Sequence, residues 1–213
     1  MAEDTVWKNV AVSIGSLGTA LTITAITKAS PGVATSVGHG LSNGDYVYLA
    51  TQGMRQVNQK VVRVAGVAAD TFQLEGVDTT DYDTFVSGTA KEVTYSTSMS
   101  SAISVDAAGG EFDMIPTTTI HAAQKSEVPG LPSAISYNMD HKWDPTDVAQ
   151  ATMKAASDIQ AIKGFKFQFG SGGKILVLAG YIGFSNAPGG SAQQLVTCRS
   201  VITTLGTTTF YAS

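Results

Sequence analysis

The chain has 213 residues, 43% of them hydrophobic, enough for one large domain or two smaller ones and too apolar for wholesale disorder. Charged residues make up only 14%, against about 25% in an average soluble protein, and the net charge of −4 excludes the basic patch of a phosphate-neutralising nucleic-acid binder. The single cysteine, Cys198, excludes an intrachain disulfide, and no stretch approaches the ~20 apolar residues of a membrane-spanning helix.

From the start, MAEDTVWKNV is acidic and has no signal-peptide pattern; the expected place of synthesis and folding is a cytoplasm. Nearly everything after it reads as strand, in short β-branched and aromatic runs separated by Gly, Asn, Asp and Pro. The runs are 7–14, 20–27, 32–37, 45–50, 60–67, 71–76, 91–105, 133–143, 165–169, 174–184 and 194–205. Where charge is sparse the surface is covered by Thr, Ser and Gly, as in ALTITAITK and TYSTSMSS, which suits a protein that packs against copies of itself. Residues 29–90 hold about five short strands, tight turns and no helix, the pattern of a small β-barrel or β-sandwich module inserted into a host domain of 1–28 and 91–213. Inside it, TSVGHGLSNGDYVYLA (35–50) reads as a turn: Gly40 and Gly44 permit positive φ around Asn43. His39 and Asp45 there are expected to bond each other or the backbone.

In 94–104 a hydroxylated, uncharged face of Thr94, Ser96, Ser98 and Ser100 alternates with Tyr95, Thr97, Met99, Ser101 and Ile103. Residues 106–133 form a long stretch with Gly-Gly and Pro-Gly breaks and little periodicity; loops of this length are usually functional or disordered. Its apolar Phe112, Met114, Ile115, Ile120, Val128 and Leu131 favour docking onto something over disorder. Over 135–143, Ile135, Tyr137, Met139, His141 and Trp143 share one face, the period of two of a half-buried strand. WDPTDVAQATMKAASDIQAIKG then predicts one helix, about 145–163. Asp144 caps it, Pro145 takes the first position, Asp147 meets the dipole, and Gly164 supplies the stop. Its expected apolar stripe is Val148, Ala151, Ala155, Ile159 and Ile162. One helix among about ten strands predicts a mainly β fold, a sandwich or partial barrel that the helix covers on one side.

No residue pattern here carries catalysis. His39, His121 and His141 fall in no metal-ligand spacing, and no G-x-S-x-G elbow is present. GSGGK (170–174) lacks the P-loop spacing and lies between two strands, so it reads as a hairpin turn. Asp78, Asp81 and Asp83 read as a solvated loop. Cys198, in QLVTCRSVITTL, reads as a small buried hydrophobe. The expectation is a non-enzyme with no cofactor and no metal.

The order of pieces in the second half does carry a resemblance. TTTIH, VPGLPS, ISY and WDPTD precede the helix; F-x-F (Phe165, Phe167, Phe169), a Gly hairpin, a strand ending in GYI (Gly180, Tyr181, Ile182) and a last strand to Gly206 follow it. This order resembles the major tail tube proteins of long-tailed, lambda-type bacteriophages over 1–28 and 92–213, most closely over 113–212. Residues 29–90, with HGLSNGDYVYL and DTFQLEG, are similar to a β module of phage virion proteins shaped like the FCCH β-barrel of ubiquitin-activating enzymes. The resemblance implies a β-sandwich subunit flanked by a helix. Such subunits form homohexameric rings that stack into the tail tube of the virion, assembled in the host cytoplasm. It implies partners among the other tail proteins (tape measure, tail terminator, baseplate or tip), viral DNA passing through the lumen without specific binding, and no membrane. It makes 106–133 the inter-ring loop, with Phe112, Met114, Ile115, Ile120, His121, Val128 and Leu131 as contacts, and Thr94, Ser96, Ser98 and Ser100 candidates for the lumen wall. The alternative is a carbohydrate- or cell-surface-binding β protein of a virion, with Tyr46, Tyr48 and Tyr82 as available aromatics.

Overall fold

A computed structural model describes residues 7–170 and 172–212; the acidic start of the chain and Ser171 of the GSGGK turn lie outside the described residues. In chain order the elements are β1 (Val10–Ile23), β2 (Ala25–Ile26), β3 (Val33–Thr35), β4 (Tyr46–Gln52), a 3-10 turn (Arg55–Val57), β5 (Val61–Ala65), β6 (Thr71–Leu74) and β7 (Ser87–Ser98). There follow β8 (Ala102–Ala108), β9 (Phe112–Pro116), β10 (Glu127–Pro132), β11 (Ser136–Lys142), α1 (Val148–Asp158), β12 (Lys163–Phe169), β13 (Ile175–Phe184) and β14 (Thr197–Tyr211). Twelve strands form one sheet in the order β2-β3-β6-β5-β4-β7-β1-β12-β13-β14-β11-β8, while β9 and β10 pair only with each other. The sheet curls into a half-barrel, the mainly β architecture that the strand-and-turn pattern implies.

Three cores hold it. The first lies between the sheet and α1, with Phe165, Phe167, Met139, Leu178 and Ile202 on the strands against Ala149, Met153 and Ala156 of the helix. The second lies entirely within 23–90 and centres on Phe72, Leu49, Leu74 and Val62. The third is a seam on the other face of the sheet, where Tyr48 and Val61 meet Val93, Val177, Ala179 and Tyr211. Polar bonds stitch the seam: the Arg63 N–H donates to the Tyr211 hydroxyl at 2.6 Å, and Thr209 Oγ1 donates to the Val61 carbonyl at 2.8 Å. Arg63 is in turn held by Glu75, its Nε 2.6 Å from Oε2, which keeps the Glu75 carboxyl below the usual carboxylate range. Close approach explains one glycine here. A Cβ on Gly164 would lie 2.3 Å from Val93 Cγ1, closer than any packed pair of carbons.

The period-two reading of 135–143 holds, since Tyr137, Met139 and His141 are buried on one face of β11. Three local expectations are corrected. The cap of α1 is Asp147, whose Oδ1 accepts from Ala149 N at 2.9 Å; Asp144 instead turns the preceding loop by accepting from Thr146 N. The helix ends at Asp158, the left-handed residue after it is Gln160, and Gly164 belongs to β12. The buried stripe is Ala149, Gln150, Met153 and Ala156, while Val148 and Ile159 are exposed. Gln150 caused the misplacement, because a glutamine reads as surface. Its amide is nonetheless fully used, donating to Lys142 O at 2.6 Å and accepting from Asp144 N at 3.2 Å.

The run 91–105 is not one strand. The chain turns at 99–101 between β7 and β8. Within β7 the register against β1 slips, from Ile14↔Thr97 to Gly15↔Tyr95, so Ser96 is the extra residue of a β-bulge. Opposed residues of an antiparallel pair point the same way. Ser98, opposite Ser13, therefore lies on one face of the sheet and Thr94, opposite Ser16, on the other. The hydroxyls of 94–100 do not form a single face.

Candidate assembly surfaces

Residues 106–133, read from sequence as a long loop, form a hairpin that projects from the end of β8. Val128 pairs with Ile115, Pro129 with Met114, and Pro132 with Phe112. Thr117 N donates to Ser126 O at 2.9 Å and Ser126 N to Thr118 Oγ1 at 3.0 Å, zipping the arms up to the tip. Its base is tied by Gly110 N to Ser133 O at 3.2 Å and Ser133 N to Glu111 O at 2.9 Å. Gly109 and Gly110 both take positive φ, 96° and 84°, and a Cβ on Gly109 would lie 2.3 Å from Ala134 O. Two glycines are what let the chain leave the sheet there.

Every apolar side chain predicted on this segment is exposed, including Phe112 at 58%, Leu131 at 85% and Ile120 at 96%, with Met114, Ile115 and Val128 half-open. His121 is exposed beside Ile120. None of the seven enters any of the three cores. Phe112 and Met114 alternate with Asp113 and Ile115, so both faces of the hairpin carry apolar groups. Exposed apolar groups on both faces of a projecting arm are the surface that a binding element presents.

The remaining candidates are structural. His39 is buried, with Nε2 3.0 Å from Ala68 O and Nδ1 accepting from Leu41 N at 3.0 Å. That fixes the proton on Nε2 and makes the histidine a clasp on the 35–50 turn. Asp45 Oδ2 accepts from Ser42 N at 2.7 Å, and Gly40 and Gly44 take positive φ. GSGGK joins β12 to β13, closed by Phe169 N to Lys174 O at 2.9 Å. Asp78 accepts from the Thr80 N–H and hydroxyl, which hold its carboxyl below the usual range. Cys198 is buried, and burial pushes its thiol up, away from thiolate reactivity. Among the described residues no group of three or more His, Cys, Asp or Glu side chains could hold a metal ion, and no helix is long and apolar enough to cross a membrane.

His141 is fully buried, its Nε2 2.8 Å from Ser200 Oγ and its Nδ1 3.5 Å from Ser101 Oγ, with the Phe184 ring edge-on. Burial lowers its pKa, and Asp147 and Asp140 pull weakly the other way. The folded state therefore holds this imidazole neutral while the unfolded chain protonates it below its ordinary value of 6.5. Its contribution is complete above that value and is lost as pH falls from there through the depressed folded pKa, at no more than about 1.4 kcal/mol per pH unit. In urea titrations at pH 7.5 and 5.5, His141→Gln is expected to show a smaller acid-induced fall in midpoint than the unsubstituted protein. Equal falls would contradict this.

The edge at β8 is hidden in the sequence because Met99, between Ser98 and Ser100, continues the alternation of a strand through the turn. Among the described residues β8 is the last strand of the sheet, paired only with β11. Between it and the start of β1 lies an open groove of about 470 Å³, lined by Trp7, Val10, Val12, Ala102, Ile103 and Val105, among others.

Comparison with known proteins agrees with a molecule built for packing. A search of curated sequences gave no match. The family model for the phage tail tube protein (TTP) matches residues 52–213, which takes in the hairpin, the helix, strands β11 to β14 and also the larger part of the 29–90 unit. With a projecting apolar hairpin, a long free strand edge and a match over most of its length, the chain belongs to the phage tail tube protein family.

Proposed function

We propose that the chain forms homohexameric rings that stack into the tube of a long-tailed, lambda-type phage tail, and that this tube conducts viral DNA. The single observation that carries the stacking is the β9–β10 hairpin, an ordered two-stranded arm with apolar side chains on both faces and no partner in its own subunit. In the ring, sheets of neighbouring subunits join around the lumen, which removes edges that otherwise invite uncontrolled pairing. A lumen that passes DNA without holding it is neutral or negative, in keeping with a chain of 17 acidic and 13 basic residues. Thr94, Ser96, Ser98 and Ser100 are the candidate lining. Because the bulge divides them between two faces, the lumen takes part of that set and not all four. Residues 29–90, which share one core with Ile23 and Ile26, act as an inserted β module on the outside of the tube. The tape measure, tail terminator and baseplate or tip proteins are the expected partners, met during assembly in the host cytoplasm.

Negative-stain electron microscopy of the purified protein tests this directly. Rings with a central hole, or tubes of stacked rings, are the expected result. A monomer that stays monomeric at high concentration would overturn it.

A further inference from the structure

We infer that the acceptor for the hairpin is the groove between β1 and β8 of a second copy. The inference rests on the reading of β9–β10 as the stacking element and names the surface it enters.

Two free strand edges frame the groove. β7 leaves β1 at the Ser13↔Ser98 pair, and beyond it Val10 and Ala11 pair with β12 on the other side only among the described pairings. β8 starts four residues later, at Ala102, and diverges to pair with β11. The wedge so opened presents strand backbone on both walls, and the exposed Trp7 (60%) and Ile103 (51%) stand at its mouth. An extended β arm can add backbone bonds to such edges and seat apolar side chains in the gap.

Placement matches donor to acceptor. The groove lies at the Ala102 end of β8, and the hairpin leaves from the Ala108 end through Gly109 and Gly110. The groove runs along β8 as far as Val105, so about 10 Å of strand separates its edge from the point where the hairpin departs. An arm and a socket on different parts of the subunit make a heterologous contact that repeats by translation instead of closing on itself, which is the geometry of a stack.

A complementation experiment tests this. Ile103→Asp blocks the socket, and deletion of 114–128 removes the arm. Each variant, with far-UV circular dichroism like that of the unaltered protein, is expected to form no tubes alone. Rings of the two variants, assembled separately and then mixed, are expected to give one defined two-ring complex that does not elongate, because the arms of the Ile103→Asp ring fill the sockets of the deletion ring and no further arm–socket interface can form. Normal tubes from Ile103→Asp, when the deletion forms none, would overturn the groove and leave the hairpin reading standing. Normal tubes from the deletion would overturn both. If neither forms tubes and the mixture gives no complex, the groove assignment fails. Should Ile103→Asp not fold, Ile103→Cys with Met114→Cys replaces it: an oxidation-dependent ladder of multimers in the tubes is expected, and tubes without a ladder overturn the groove.

Discussion

Deleting residues 114–128 is expected to abolish tube formation while moving the urea midpoint by no more than the equivalent of about 0.5 kcal/mol. The two halves of that expectation have separate grounds. Stability is spared because no side chain of this segment belongs to a core, and because residues 113 and 129 flank the cut on adjacent arms of the hairpin. Assembly is lost because the segment holds Met114, Ile115, Ile120 and Val128, all solvent-exposed in the subunit. Burying one such side chain contributes roughly 1.5–3 kcal/mol. A ring that presents several arms at once gains from each without paying again for association. Sedimentation followed by electron microscopy measures the first half, and urea unfolding the second. Tubes of normal length from the deleted protein would show that stacking uses another surface.

The hairpin also shows where sequence patterning stops working. Alternation reveals a strand when one face is wet and the other dry. β11 satisfies that condition, and its buried Tyr137, Met139 and His141 are legible as a set. β9 and β10 have no dry face within the subunit, so Phe112, Met114 and Ile115 fall on both sides and the segment reads as loop. The docking expectation rested on the same residues, since isolated apolar groups in a glycine-broken stretch need a partner, and all of them are exposed in the subunit. The Ser-rich run 94–104 failed for a related reason. Serines at 96, 98, 100 and 101 give the turn at 99–101 and the bulge at Ser96 the same appearance as a strand. In α1 the helix itself was legible, but its ends lay three to five residues inside the expected 145–163 and its face was wrong, because the burial of Gln150 depends on Lys142 O and Asp144 N, two groups that only the folded loop brings to it. The seam is the least legible part. Tyr48, Val61, Val177 and Tyr211 come from strands that are up to 163 residues apart in the chain, and nothing local to any of them announces the contact.

Phe165→Ala and Phe72→Ala are each expected to cost about 3–5 kcal/mol, since both side chains are fully buried and neither site can close over the space left by a phenyl ring. Against a total stability of ~5–15 kcal/mol, either is a severe lesion, and the two differ in where it falls. Phe165 lies in the core under α1, and Phe72 in the core confined to residues 23–90, with the His39 ring edge-on at 5.3 Å. Both tryptophans report on the first core alone: Trp7 stacks edge-on with Phe169 at 5.3 Å, and Trp143 Nε1 donates to Asn186 O at 3.2 Å. Phe165→Ala should therefore shift the tryptophan fluorescence transition in urea by the full amount. Phe72→Ala should lower the circular dichroism transition of the 29–90 strands first and move the fluorescence transition by about 1 kcal/mol, the part transmitted between the two cores. That coupling is partial: it runs through the seam's apolar contacts and its two stitching bonds, Arg63 N to Tyr211 Oη and Thr209 Oγ1 to Val61 O, each contributing about 1 kcal/mol net, and through β7, which pairs with β4 on one side and β1 on the other. Coincident transitions with equal shifts in both variants would mean that one cooperative unit spans the chain and that residues 29–90 are no module.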